Sequence, residues 1–174
     1  MKNNKNVILI GMPGCGKSTL GVLLAKELGL GFVDTDIIIQ SRTGELLCET
    51  LSKSGVEGLL LEEERAILSM DLSVPCVIAT GGSAVLRESS MCHLLKNGIC
   101  VYLYLSCDEI EKRINNKETR GIAANPDETL KDIFNYRTPF YEKYAHIILD
   151  CQNKSIEENV ALIKNALFNN LCKK

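Results

Sequence analysis

What this chain of 174 residues lacks excludes several classes of function. No apolar run approaches the ~20 residues that a membrane span needs, so no membrane role is expected. Neither sign of charge dominates. Lys and Arg number 20 against 22 Asp and Glu, and the basic residues are scattered, so no footprint for nucleic acid or for an acidic lipid surface stands out. The cysteines at 15, 48, 76, 92, 100, 107, 151 and 172 include no C-x-x-C pair. Several lie inside apolar runs such as Cys76-Val77-Ile78, and they read as reduced core residues rather than a disulfide framework. His93 and His146 stand alone, without metal-ligand spacing. Nothing resembles a signal peptide, since Met1 to Lys5 leads straight into a short apolar strand, and the cytoplasm is the expected compartment. There is no internal repeat, low-complexity stretch or linker. With 45% hydrophobic content, residues 1–174 suffice for one well-buried core and are too few for two ordinary domains.

Against these absences stands one contiguous signal. Residues 11 to 19 read Gly11-Met12-Pro13-Gly14-Cys15-Gly16-Lys17-Ser18-Thr19, a phosphate-binding loop of the form G-x-x-x-x-G-K-[ST] directly after the apolar run Val7 to Ile10. Its glycines let successive backbone N–H groups turn inward around a polyphosphate. Lys17 brings a positive charge to the outer phosphates, and the Ser18 hydroxyl can ligate Mg²⁺. A helix starting at about Gly16 points its positive end at the same anion, and Leu20, Leu24 and Leu28 give that helix an apolar face. The nucleotide cradle is therefore Gly14 to Thr19, with Cys15 a small filler at a variable position. A chain of this length shows the pattern by chance on the order of once in a few hundred sequences, and the strand–loop–helix setting sharpens it further.

Five β-rich runs alternate with amphipathic segments: Asn6 to Ile10, Gly31 to Val33, Pro75 to Ala79, Ile99 to Leu105 and His146 to Leu149. The unbroken apolar character of Val7 to Ile10 and Val101 to Leu105 fits strands buried on both faces. The expected fold is α/β, a three-layer, doubly wound parallel sheet with helices on both faces. Ligands in such folds gather at the carboxyl ends of the strands. There the chain carries Asp34-Thr35-Asp36 after the second run and Thr80-Gly81-Gly82-Ser83 after the third. Asn115 to Asp127 is polar, contains Gly121 and Pro126, and reads as a mobile loop or lid.

Taken in order, the phosphate loop, the aspartate pair after Phe32-Val33, the Arg42-Thr43-Gly44 turn and the segment Arg137-Thr138-Pro139-Phe140-Tyr141 resemble the shikimate kinase family from about Val7 to Asp150. The resemblance implies a five-stranded sheet of nucleoside-monophosphate-kinase type. It also implies transfer of the γ-phosphoryl group of ATP to a hydroxyl of a small cyclic acid, within aromatic amino acid biosynthesis. Phosphoryl transfer is mostly positioning and charge neutralisation. Asp36 matches the family's acceptor-binding aspartate, and Asp34 is placed to act on Mg²⁺ through water. Arg120 matches the arginine that reaches the phosphates, and Arg137 the one that grips the substrate carboxylate, for which a planar bidentate donor is suited. Gly81 and Gly82 fall at the acceptor, while Arg113 and Asn153 occupy positions that flank the adenine. A monomer acting on a small molecule, with ATP and Mg²⁺, is expected.

The chain departs from the family on the acceptor side. Where a Phe-Arg-x-x-Glu segment is usual, it has Leu59-Leu60-Leu61-Glu62-Glu63, with Leu60 in place of the carboxylate-binding arginine and Glu63 left without that partner. Arg65 is about 140° further round the helix and cannot substitute. The plain amphipathic reading makes Leu59 to Leu61 core and Glu62 to Glu64 a solvated face. Ser83 replaces a third glycine, placing a Cβ where backbone approaches substrate or needs positive φ. Gly121 stands where proline is usual, implying a less preorganised lid. Two other readings stay open. One is a kinase for a different hydroxylated metabolite, with a more apolar pocket around Leu60. The other is a non-catalytic nucleotide-binding homologue, against which the retained Asp36 and Arg137 argue. The guanine-reading Asn-Lys-x-Asp is missing, since Asn116-Lys117-Glu118 is followed by Thr119.

Overall fold

A computed structural model describes residues 5–114, 121–125 and 127–171, with the backbone alone at 170 and 171. Five strands, β1 (Asn6–Ile10), β2 (Gly31–Asp34), β3 (Cys76–Ala79), β4 (Gly98–Tyr104) and β5 (Ile147–Asp150), form one parallel sheet in the order β2-β3-β1-β4-β5. All five sequence-predicted strands are present, with ends shifted by at most a residue. The central strand β1 is buried along its length, with Val7 in register with Val77 on one side and Ile99 on the other. A strand covered on both faces can carry an unbroken apolar run, which is why Val7 to Ile10 shows no alternation.

The helices are α1 (Lys17–Leu28), α2 (Thr35–Thr43), α3 (Leu47–Leu68), α4 (Glu88–Asn97), α5 (Cys107–Arg113), α6 (Leu130–Tyr144) and α7 (Ile156–Leu171), with a 3-10 turn at Ala84–Leu86. Right-handed crossovers leave them no choice of side. The connection from β1 out to β2 puts α1 on one face, where α7 packs against it, while the connections running back across the sheet put α3, α4 and α6 on the other.

The strand order decides where function can reside. Because β2, β3 and β1 are neighbours, the turns that leave their carboxyl ends are neighbours too: the aspartate pair, the Thr80 to Ser83 turn and the phosphate loop. Two hydrogen bonds tie the middle turn to its flanks, with Thr80 Oγ1 donating to Leu9 O (3.1 Å) and Gly81 N donating to Thr35 Oγ1 (2.9 Å). The helical run of α3 is broken at Gly55, whose φ of 68° and ψ of −175° suit only a residue without a Cβ. This kink sets the rotation of residues 56–68, and hence which of them face the site.

Candidate active site

The turns enclose a cavity of about 440 Å³. Its floor is the phosphate loop. Gly14 and Gly16 have φ of 82° and 96°, so the loop curls in a way that a Cβ would strain. Gly16 caps α1, whose first residues Lys17 and Ser18 line the cavity. Lys17 is only 8% exposed, and its Nζ donates to Gly11 O (2.7 Å) and Met12 O (2.9 Å), which stations an ammonium at the centre of an anion cradle. Cys15 is buried under the loop, as its filler role requires.

The acceptor side is built from α2, the Thr80 to Ser83 turn, α3 and α6. Asp34 is the N-cap of α2, its Oδ1 accepting from Asp36 N at 3.0 Å, and it does not line the cavity. Asp36, in the first turn, does line it. Burial, with the neighbouring Asp34 charge, raises the Asp36 pKa to about 6, and Lys17 partly offsets this. Gly81 and Gly82 are required by space and not by φ. A Cβ on Gly81 would lie 2.1 Å from Glu63 Oε1 and 3.1 Å from Asp36 Oδ1, and one on Gly82 would lie 2.7 Å from Pro13 Cδ in the phosphate loop.

The spacing of Arg137 and Tyr141, four apart on α6, places both on its inner face. Arg137 is buried, lines the cavity and donates from Nη2 to Ala123 O. Tyr141 donates from its hydroxyl to Gly82 O at 2.5 Å and stacks on Tyr102, with ring centroids 5.0 Å apart. Tyr141 thus pins the glycine turn against α6. The motif's tyrosine shows in the sequence, but nothing there says what it holds.

Several expectations need correction. Glu62 to Glu64 do not form a solvated face, because Glu63 is 3% exposed and lines the cavity, while Leu61 is 40% exposed. Beyond the Gly55 kink the inward face is Leu59, Leu60, Glu63, Ala66 and Ile67, the helical spacing of a single stripe. Glu63 lacks a cationic partner, as expected, among the described residues, and is held instead by Ser83, whose Oγ donates to its Oε2 at 2.6 Å. Ser83 itself has φ of −101° and ψ of −7°, an ordinary conformation, so its Cβ is accommodated without strain. The apolar wall is Ile39, Leu47 and Leu59, whereas Leu60 packs behind it in a small cluster with Ile39, Ala66 and Ala123. Arg65 pairs with Glu62 on the surface and stays away from the site.

Arg120 and residues 115–119 of the expected lid lie outside the described residues, as does Pro126. The lid's other end is anchored. Gly121 (φ 58°) packs so close to α3 that a Cβ would sit 2.5 Å from Leu47 Cβ, so glycine there answers to close packing, and Ile122 and Ala123 are buried against the cavity. Arg113 borders a second hollow of about 330 Å³ beside Cys15, Gly16 and Thr19. Asn153 does not line that hollow. Its neighbour Lys154 does, together with Asn159, and no spacing in the sequence marks either of them. His146 accepts from Cys100 N at 3.0 Å through Nδ1, a structural bond between β4 and the start of β5.

Comparison with known proteins places this geometry. The family model described as shikimate kinase matches residues 13–168. A shikimate kinase of Haemophilus influenzae (strain PittEE) is 36% identical over 172 residues, covering 95% of this chain and 96% of that protein. One from Thermodesulfovibrio yellowstonii is 38% identical over 156 residues, covering 88% and 90%. Among solved structures, a shikimate kinase from Acinetobacter baumannii in complex with shikimate superposes with a TM-score of 0.88 at 27% identity, covering 97% of this chain and 96% of that one. With a five-stranded parallel sheet, a phosphate loop after β1 and an aspartate after β2 opening on one cavity, the chain belongs to the shikimate kinase family of ATP-dependent phosphotransferases.

Proposed function

We propose that this protein transfers the γ-phosphoryl group of ATP to a hydroxyl of shikimate. The observation that carries the reading is that Lys17, Asp36 and Arg137, from three separate elements, line one cavity. They supply a cation for the phosphates, a carboxylate for the acceptor hydroxyl and a guanidinium for the acceptor's own carboxylate. Asp36 orients the hydroxyl and takes its proton as the new phosphorus–oxygen bond forms. Lys17, with Arg120, neutralises charge on the transferring group, and the loop N–H groups from Gly14 to Thr19 hold the phosphates in line. Gly81 and Gly82 let the backbone approach the acceptor. Arg113 flanks the base at the far end of the loop, where Lys154 and Asn159 line the same hollow in place of Asn153.

Mg²⁺ fits the Ser18 hydroxyl at the head of α1, with Asp34 reached through water. Such an ion takes most of its ligands from water and phosphate oxygens and needs no cage of side chains. Held there, the ion would supply positive charge against the charge that develops on the phosphates. The protein is expected to act as a monomer in the cytoplasm. A different hydroxylated metabolite is a second reading, favoured by the apolar wall of Ile39, Leu47 and Leu59.

The test is ADP release with Mg²⁺-ATP, with and without millimolar shikimate, following the phosphorylated product by mass spectrometry. Shikimate-dependent turnover is expected. Absence of turnover in protein that binds ATP sinks the reading and sends the search to other acceptors. Asp36→Asn should lower kcat by at least about 100-fold while ATP affinity stays within about twofold. In the wild type kcat should fall as the pH drops through about 6, where Asp36 gains its proton and can no longer accept one.

A further inference from the structure

The acceptor wall is short of positive charge. Among the described residues lining the cavity only Lys17 and Arg137 are cationic, and the Lys17 ammonium is engaged by loop carbonyls. Facing them are two carboxyls, Asp36 and Glu63, drawn to one point beneath Gly81. Glu63 is nearly inaccessible at 3% exposure, and among the described residues no cation lies within 4 Å of it. Its Oε2 is held by the Ser83 hydroxyl, while its buried Oε1 has no hydrogen-bond partner.

A carboxylate buried with a single hydrogen bond is strongly disfavoured, and the usual remedy is to keep the proton. The groups that act on Glu63 are Asp36 from α2, Lys17 from α1, Arg137 from α6 and Ser83 from the turn after β3. Burial and the Asp36 charge outweigh the pull of Ser83, Arg137 and Lys17, and the Glu63 pKa is raised to about 7. Because Ser83 donates to Oε2, the acid proton belongs on Oε1, the oxygen that lacks a partner. Glu63 and Arg137 line the same cavity, so an acceptor whose carboxylate is seated on Arg137 lies near an uncharged acid while Glu63 keeps its proton, and near a repelling charge once Glu63 is ionised.

We propose that Glu63, fixed through Oε2 by Ser83 and buried in the cavity wall with no ion-pair partner among the described residues, is a specificity-determining residue that admits the acceptor's carboxylate while it is neutral and repels it once ionised. The proposal rests on the reading of shikimate as acceptor. Its consequence is a pH dependence that guanidinium groups cannot produce, since they stay charged throughout the range. Affinity for the acceptor is present while Glu63 is protonated and is lost as the pH rises through about 7.

The experiment is the KM for shikimate at saturating Mg²⁺-ATP from pH 5.5 to 8.5, for the wild type and Glu63→Gln, with methyl shikimate as an uncharged comparison. In the wild type KM should rise about tenfold between pH 6 and 8, as expected for one proton lost near 7. In Glu63→Gln, whose amide donates but does not titrate, KM should change by less than about threefold over the same range. The methyl ester should show no comparable slope with the wild type, and this arm stands even where the Gln variant fails to fold. A flat wild-type profile, a slope retained in Glu63→Gln, or an equal slope with the ester each overturns the proposal while leaving shikimate as acceptor. Absence of turnover at every pH, in protein that binds ATP, overturns the shikimate reading and this inference with it.

Discussion

Leu60 and Ser83, the acceptor-side positions at which the resemblance implies an arginine and a glycine, both bear on Glu63. Ser83 bonds it directly, and Leu60 stands three residues before it on α3, where a longer polar side chain can reach its carboxyl. A glutamate beside a guanidinium stays ionised, whereas one beside a hydroxyl in a dry wall keeps its proton. Leu60→Arg should therefore restore the charged arrangement. We expect KM for shikimate at pH 8 to fall by roughly tenfold, the worth of one charge-assisted hydrogen bond. The rise of KM with pH should flatten, because the new cation draws the Glu63 proton off. Leu60 also packs with Ile39, Ala66 and Ala123, so the variant should lose about 2 kcal/mol of stability and melt roughly 4–8 °C lower. Steady-state kinetics and thermal melts read both effects, and an unchanged KM at pH 8 would mean that residue 60 does not reach the acceptor's carboxylate.

Among the elements, α3 carries the most consequence for the site, and it does so through its break at Gly55. Nothing lies within 4 Å of where a Cβ on Gly55 would point, so the requirement for glycine is conformational and not steric. Gly55→Ala should destabilise the protein by about 1–3 kcal/mol in urea unfolding with an unchanged slope. It should also raise KM for the acceptor, because Leu59 and Glu63 turn with the second half of the helix, while ATP affinity holds. Equal stability in the alanine variant would show that the bend is not needed. The helix α6 shows the complementary case, in which local chemistry suffices. A capping box between Thr129 and Asp132 starts it, and the four-residue spacing of Arg137 and Tyr141 delivers one side chain to the cavity and the other to the Gly82 carbonyl.

For the molecule as a whole, the sheet is the frame on which three cavity-lining turns become neighbours, and Asn6 is the polar rivet of that frame. Only 2% exposed, it donates from Nδ2 to Leu72 O (3.0 Å) and Asn97 O (2.9 Å), and its Oδ1 accepts from Cys76 N (2.8 Å). One side chain thus ties the start of β1 to the segments that lead into β3 and β4. Asn6→Ala leaves those three backbone groups without this partner and should cost about 2–4 kcal/mol, a drop in melting temperature of roughly 5–15 °C by calorimetry. A drop of less than about 2 °C would show that water or a neighbour replaces it.

The strands were readable because a parallel strand covered on both faces is a contiguous apolar run, a signal that needs no partner to be recognised. The phosphate loop was readable for the same reason: its glycines, lysine and serine are adjacent in the chain, and their chemistry follows from adjacency. The order of the sheet, which sets β3 between β1 and β2 and so brings their turns beside that loop, was decided by the tertiary structure, because crossover handedness fixes only the face that each connecting helix covers once the order is given. What the tertiary structure alone decided lies between residues far apart in sequence. Glu63 finds Ser83 twenty residues on, Tyr141 finds Gly82 59 residues back, and Lys154 rather than Asn153 reaches the second hollow. The helical phase that turns Glu63 inward and Leu61 outward follows a kink whose angle no periodicity announces. A residue's neighbours along the chain determine its backbone and the face it shares, while its ionisation depends on how much water and which charges the folded chain leaves around it.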